Sequence, residues 1–418
     1  MGHEQPDFDG VFLDRTTVAQ ALLNIDNKQR SNLLPWNGQF SPQLIEVLLR
    51  TYAPKNGLVL DPFAGSGTVL YEAGSLGMPV VGAEINPAAC KMAEIYCLIN
   101  ASVAKRRALM TRLERLLEDC LPAAEPSLFS TTGNGAQQCI KESLVAIHGG
   151  LDDRATRSLL EALIVLLDFY KDVSGEKVYS TWAKLKARVL GLPESDAPIR
   201  LLNCDARRLP LRDGETGFVV TSPPYINVFN YHQQYRRSVE ALGWDLLKVA
   251  ESEIGSNRKH RQNRFLTVIQ YCLDMTDVLR EIQRVCKEGS RAIVIVGRES
   301  NVRKTRFFNG EIMAALASRC VGFLFAARQE RVFMNRFGEQ IYEDLLHFDV
   351  TRRNTNHEEP REIAREVLAK AKARAPEESL GDLEEAISVL EGVGTSPIYD
   401  PTAASSPSRR RRGREAKT

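Results

Sequence analysis

Leu58-Val59-Leu60-Asp61-Pro62-Phe63-Ala64-Gly65-Ser66-Gly67-Thr68 is the stretch on which the fold turns. Its first three residues form a short apolar run of the kind found in buried parallel strands. Asp61 ends that run. Gly65 and Gly67 then allow a tight turn in which backbone approaches a ligand with no β-carbon in the way. Val69, Leu70, Ala73 and Leu76 begin a helical pattern, so the turn sits at a helix N-terminus. A phosphate-binding loop would carry a lysine after its last glycine. Thr68 stands there instead, and the run holds no basic residue. The stretch therefore argues against a nucleoside-triphosphate site. Asp61 suits a cationic or hydroxyl-rich ligand better than a phosphate chain.

Downstream, residues 79–83 read as a second strand ending in Glu84, about 20 residues past the glycine turn, where dinucleotide folds hold ribose hydroxyls. Asn86-Pro87 then fits a helix cap followed by proline at the first helical position. Much later, Phe218-Val219-Val220 forms another apolar strand, followed by Thr221-Ser222-Pro223-Pro224-Tyr225. The exocyclic amine of a nucleic-acid base is a poor nucleophile, because its lone pair is delocalised into the ring. A serine hydroxyl and a backbone carbonyl fixed by prolines can accept hydrogen bonds from such an amine and orient it. Tyr225 offers a flat face for an extruded base, worth roughly 1–3 kcal/mol, and extrusion is needed because the target atom is unreachable inside a duplex. Methylation at carbon 5 of cytosine would need a cysteine nucleophile, which in the family of such enzymes follows a proline, and none of the eight cysteines here does.

These two runs, in this order, resemble the signature motifs of the S-adenosylmethionine-dependent, amino-methylating DNA methyltransferases. The Ser-Pro-Pro-Tyr variant most resembles the cytosine-N4 branch. The resemblance covers residues 30–100 and 195–350. It implies an α/β, Rossmann-like sheet with helices on both faces, and S-adenosyl-L-methionine as cofactor. It implies cofactor contacts from Asp61, Pro62, Phe63, Gly65, Ser66, Gly67 and Thr68, with Glu84 on the ribose and Asn86 beside it. Phe40 and Ser41 lie in Trp36–Pro42, which resembles the family's segment over the methionine end. Asp205, in Asn203-Cys204-Asp205-Ala206, would meet the adenine amino group; a solvated Asp205 is the competing reading. Ser222, Pro223, Pro224 and Tyr225 would be catalytic. The expected activity is methyl transfer to N4 of a flipped cytosine in double-stranded DNA, in a restriction–modification or defence setting where a cognate endonuclease fits as partner. The alternatives are adenine-N6 methylation, then methylation of RNA or a protein glutamine, then a non-catalytic DNA-binding protein of the same fold.

The two motifs lie more than 150 residues apart, far more than two β-α units need. The expected organisation is a lead-in over 1–30, a catalytic domain from 31–100 and 199–350, and a helical insertion over 101–198 that is a candidate for target recognition. A charged helical segment with little apolar periodicity follows, ending in a disordered basic tail over 351–418. Six bases against one acid make the run from Arg409 to Lys417 net +5, so the rest of the chain is slightly acidic against a total of +2. Any grip on DNA must then be local. Asn227, Tyr231, Arg236 and Arg237 leave directly from the second motif, and Arg258, Lys259 and Arg261 follow in a Gly-Ser-Asn loop. Both stretches are expected to touch phosphates or bases. His232 and His260 are not expected to act as bases, since the amine loses its proton only after gaining charge. Scattered cysteines without paired spacing argue for reduced thiols, no metal and a cytoplasmic location. No apolar run reaches the ~20 residues of a membrane span.

Overall fold

Three residues, Val59–Asp61 (β1), sit at the centre of the sheet, all buried. In the computed structural model, which describes residues 8, 10–121, 134–226, 231–256, 260–335, 338–352 and 358–401, β1 pairs in parallel with Val80–Ala83 (β2) on one side and Thr216–Thr221 (β4) on the other. Ile199–Leu202 (β3) lies outside β2, and Cys286–Gly297 (β5) lies parallel to β4. Leu324–Met334 (β6) and Gln340–Asp349 (β7) form a hairpin, with β7 antiparallel to β5. The order is β3-β2-β1-β4-β5-β7-β6. This is the α/β, Rossmann-like arrangement expected. The order reverses between β1 and β4, which is where ligands settle in open α/β sheets.

Alternation along each strand explains the two-faced burial. Val59, Val80, Phe218, Val220, Ile293 and Ile295 enter one core, while Leu60, Val81, Val219, Ala292, Val294 and Val296 enter the other. Both faces are apolar because both are covered. The first is covered by Pro42–Tyr52 (α1), Thr68–Ser75 (α2) and Pro87–Ala93 (α3). The insertion is helical, as expected: Val103–Cys120 (α4), Asn134–Gly149 (α5), Arg154–Leu167 (α6) and Gly175–Leu190 (α7). Its apolar residues belong to the first core, with α6 packed on α3. Helix α5 was not foreseen, although Ile140, Leu144 and Ile147 are buried at helical spacing.

The second face is covered by Leu266–Val285 (α8), Pro360–Ala371 (α9) and Glu377–Ser388 (α10). Here the sequence reading needs correcting. The charged segment after Val350 buries Ile363, Ala364, Leu368, Ala371, Leu383 and Ala386 in the second core. Its apolar stripe is narrow and flanked by charges, which hid the periodicity. Residues 395–401 are ordered against the sheet rather than disordered, whereas 402–418, with the arginine run, lie outside the described residues. The lead-in is also attached: Arg328 donates its backbone N–H to Phe12, and Arg30 clasps Glu72 of α2 through both guanidinium nitrogens at 2.6 and 2.8 Å.

Candidate active site

The glycine turn adopts the backbone its sequence implies. Gly65 and Gly67 both have positive φ, at 51° and 90°. A β-carbon on Gly67 would lie 2.8 Å from Tyr96 and 2.9 Å from Ala93, so the turn is pressed against the helix after β2 and no side chain fits. The segment before α1 folds back over the turn. Ser66 donates its hydroxyl to Gln39 at 2.9 Å, and Thr68 donates to Asn32 at 2.9 Å. Asn32 in turn donates to the carbonyl of Phe40. The segment over residues 36–42 thus lies against the turn.

The turn opens on a pocket of about 1040 Å³, counted to its open mouth, in which Pro62, Phe63, Gly65, Ser66, Thr68, Glu84, Asn86 and Phe40 take part. Ser222 and Pro224 line the same pocket. The two motifs, some 160 residues apart, therefore share one cavity. They are also tied directly: Thr221 at the end of β4 donates its hydroxyl to Asp61 Oδ1 at 2.7 Å. Asp61 is buried and does not line the pocket, so it acts as a strut between the strand ends rather than as a ligand contact. Burial pushes its carboxyl up to about 7, against hydrogen bonds from Thr221 and the Phe63 N–H.

Glu84 faces the pocket. One carboxylate oxygen accepts the Gly65 N–H at 2.8 Å and the other accepts the Asn86 N–H at 2.7 Å. A carboxylate has about four acceptor positions, so acceptor capacity remains beyond these two bonds. Burial raises its pKa to about 7, opposed by the backbone N–H groups of Asn86, Gly65 and Ile85. Asn86 lines the pocket, but its side chain caps α3 and donates to the carbonyl of Tyr231 at 3.0 Å. It is scaffold. Ser41 lies on the neighbouring groove instead of the pocket.

Asp205 departs from expectation. It lines the pocket, but its Oδ1 accepts the Arg207 backbone N–H and Nε, and its Oδ2 accepts Arg207 Nη2 and the Tyr399 N–H, all at 2.7–3.0 Å. All four acceptor positions are used, so the carboxylate is closed to a ligand amino group and is not solvated either. Arg207 also reaches Asp274 at 2.8 Å and the carbonyls of Ser396 and Pro397. The chain end thus straps the wall of the pocket, and Tyr399 donates its hydroxyl to Asn203 at 3.1 Å. Nothing in the local sequence signals this contact.

A second opening, a groove of about 3190 Å³ including its mouth, carries Ser222, Pro223, Tyr225 and Tyr231. Ser222, Tyr231, Gly38, Gln39 and Phe40 belong to both cavities. Ser222 Oγ lies 3.3 Å from the Tyr225 hydroxyl. The Tyr225 ring is braced by Gly297, whose absent β-carbon would sit 3.0 Å from it. Burial raises the phenol's pKa further above its ordinary value. Tyr231 stacks on Trp36 at 6.5 Å and 13°, and Tyr235 stacks on Trp36 at 6.3 Å. His232 is buried and bonded through Nδ1 to Glu253 at 2.7 Å, a structural pair the sequence did not reveal.

Of the residues assigned to DNA, Tyr231 alone lines either cavity among those described. Arg236 is held by Glu240 at 2.7 Å, and Arg237 lies over the Tyr170 ring at 4.5 Å. Neither lines the pocket or the groove. Arg261 is exposed and lines neither cavity. Asn227, Arg258 and Lys259 lie outside the described residues. Among the described residues no cluster could hold a metal, and no helix is long and apolar enough to cross a membrane.

Comparison with known proteins finds methyltransferases. A type II methyltransferase, M.MjaII, of Methanocaldococcus jannaschii is 38% identical over 61 residues, 15% of this chain and 12% of its own length. A tRNA (guanine(10)-N2)-dimethyltransferase of Methanothermobacter thermautotrophicus is 28% identical over 133 residues, 30% of this chain and 40% of its own. The chain thus spans less than half the length of these relatives. Among solved structures, a SAM-dependent methyltransferase of Methanosarcina mazei aligns with 73% of this chain and 98% of its own, at 12% identity and a TM-score of 0.35. Residues 15–95, which hold the covering segment, the glycine turn and Glu84, match the family described as DNA methylase.

Proposed function

We propose that this protein is an S-adenosylmethionine-dependent DNA methyltransferase that acts on the exocyclic N4 of a flipped cytosine. The observation that carries the reading is that Ser222 lines both cavities, the pocket over the glycine turn and the groove beside it. A donor in the pocket and an acceptor in the groove meet there.

The pocket's donor set suits the cofactor. Glu84 keeps acceptor capacity for a ribose diol, Phe40 and Phe63 supply apolar walls, and Glu84 and Glu253 give the pocket an acidic character that favours a cation. Among the described residues no base lines it, as a phosphate would require. When bound, the cofactor supplies a methyl group on a positively charged sulfur. The chain's own residues do the rest by positioning. The Tyr225 phenol, held protonated, donates to Ser222 Oγ and leaves that oxygen a lone pair for a hydrogen of the substrate amine. Pro223 and Pro224 restrict the backbone so that a carbonyl accepts the second hydrogen. The amine is thereby aimed with its lone pair toward the pocket. Ser222, where an acid would stand in many adenine-specific enzymes of the resembled family, supports the cytosine reading. A restriction–modification or defence setting, with a partner endonuclease, accords with the type II relative.

The test is incubation with isotope-labelled cofactor and unmodified DNA, followed by digestion to nucleosides. N4-methylcytosine is expected, and Ser222→Ala should reduce its formation at least tenfold. Label in N6-methyladenine would reassign the base. Label only in RNA, offered in parallel, would overturn the DNA reading.

A further inference from the structure

We infer that the groove on the far side of Ser222 is a two-walled channel for a DNA strand, with a cationic wall from the helical insertion and an aromatic wall from the β6–β7 hairpin. This rests on the methyltransferase reading and adds where the polymer is gripped.

The first wall is α7. Thr181, Lys184 and Arg188 line the groove and are spaced i, i+3, i+7, one stripe of the helix. The adjoining stripe, Trp182, Leu185 and Val189, one residue further on and about 100° round the helix, is buried in the first core and fixes the rotation that leaves the cationic stripe on the groove. Lys184 is exposed, and among the described residues neither it nor Arg188 forms an ion pair. Lys28 of the lead-in joins them on the groove.

The second wall follows from strand register. Gly297, the last residue of β5, pairs with Glu343. Residues 340–342 of β7, with their partners Val332, Phe333 and Met334 of β6, therefore run on past the end of the parallel strands. Three residues of overhang project roughly 10 Å over the site. Tyr342 and Met334, 37% and 62% exposed, both line the groove. The acids on the groove are Asp26, which is exposed, and Glu343, which Arg331 neutralises at 2.7 Å. The surplus is positive, in a body that is otherwise slightly acidic. Phosphates would run along α7, bases would turn toward the hairpin, and a nucleotide extruded between them reaches Ser222.

The decisive measurement is binding of a fluorescent, unmodified DNA duplex to the full chain with S-adenosylhomocysteine present, titrated across salt concentrations. Removing two phosphate contacts in Lys184→Ala/Arg188→Ala should lower the slope of log affinity against log salt by about 2. Tyr342→Ala should weaken binding about tenfold with the slope unchanged. The exposed pair Arg107→Ala/Arg115→Ala, on α4 and off the groove, should leave both unchanged. Unaltered S-adenosylhomocysteine affinity in each variant shows the fold intact. An unchanged slope in the α7 variant, or an equal drop in the α4 variant, would overturn the channel, as would wild-type protein that does not bind DNA. Salt-dependent binding that needs Lys184 and Arg188, in a protein that transfers no methyl group, would support the channel and sink the proposed activity instead.

Discussion

Two carboxylates on the walls of one pocket, Glu84 and Asp205, have opposite fates. Glu84 takes a single backbone N–H on each oxygen and leaves the rest of its acceptor capacity facing the cavity. Asp205 fills all four positions with Arg207 and the Tyr399 N–H. The Glu84 wall is built by neighbours in sequence, from the glycine turn 19 residues before it and Asn86 two residues after. The Asp205 wall is completed by a strand of chain 194 residues away. The first wall is made to bind, and the second is made to hold the pocket's shape. An acid after a strand is thus no sign of a ligand contact until its lone pairs are counted.

The largest effect should come from the holding wall. Arg207 is buried and satisfies Asp205, Asp274 and two strap carbonyls at once. Arg207→Ala leaves two buried carboxylates short of a counter-charge, which typically costs about 3–5 kcal/mol. Urea or thermal unfolding should show that loss, and the strap should become protease-sensitive between Val393 and Pro401. If stability falls by less than about 1 kcal/mol, the wall is not a brace.

Glu84→Gln should act on binding. A charge-assisted hydrogen bond contributes roughly 1.5–3 kcal/mol, so weakening two of them should reduce cofactor affinity on the order of 100-fold, while the amide, which can accept from only one of the Gly65 and Asn86 N–H groups, should cost about 1–3 kcal/mol of stability. Calorimetric titration with S-adenosylhomocysteine measures the first quantity. An equal loss from Glu84→Gln and from an Asp205 variant would erase the distinction between the walls.

Acidity sharpens the same contrast. Burial raises the Glu84 carboxyl to about 7, and ribose hydroxyls bind its charged form. Below pH 7 a ligand must first displace that proton, so affinity should fall by up to about tenfold per pH unit. The folded protein holds protons on Glu84 and Asp61 that the unfolded chain releases near its ordinary carboxylate range. Their contribution to unliganded stability therefore runs the other way, growing as pH drops from about 7 toward about 4.5. Glu84→Gln should flatten the affinity profile. Asp61, which does not line the pocket, should leave it in place.

Much of the binding wall was legible because its signals are local. Apolar runs of three, two glycines forced to positive φ and an acid at the next strand end all lie within residues 58–86. The same holds for Ser222–Tyr225. The β6–β7 hairpin is hard to read because Arg328, Gln329, Glu330 and Arg331 interrupt the apolar pattern of β6, although Gln329 is buried and bonded to His347. A second hairpin, Glu299–Val302 with Thr305–Phe308, turns on Arg303 and Lys304 at positive φ where asparagine or glycine would usually announce it. The strap was invisible for a different reason. Its energy lies in pairings such as Ser396 with Asp274 that span 122 residues and leave no periodic trace.

The smallest effect separates the strap's anchor from its tip. Tyr399 reaches Asp205 through its backbone, which no substitution of the side chain removes, while its hydroxyl donates to Asn203. Tyr399→Phe deletes only the latter bond, worth about 0.5–1.5 kcal/mol. Asn203 stays anchored by its amide, which donates to the carbonyl of Glu84 at 2.8 Å. Stability should fall by about 1 kcal/mol in a denaturant titration, and cofactor affinity should hold within about twofold. A tenfold loss of affinity would instead mean that the strap's tip positions Glu84 through Asn203, and that the two walls are one device.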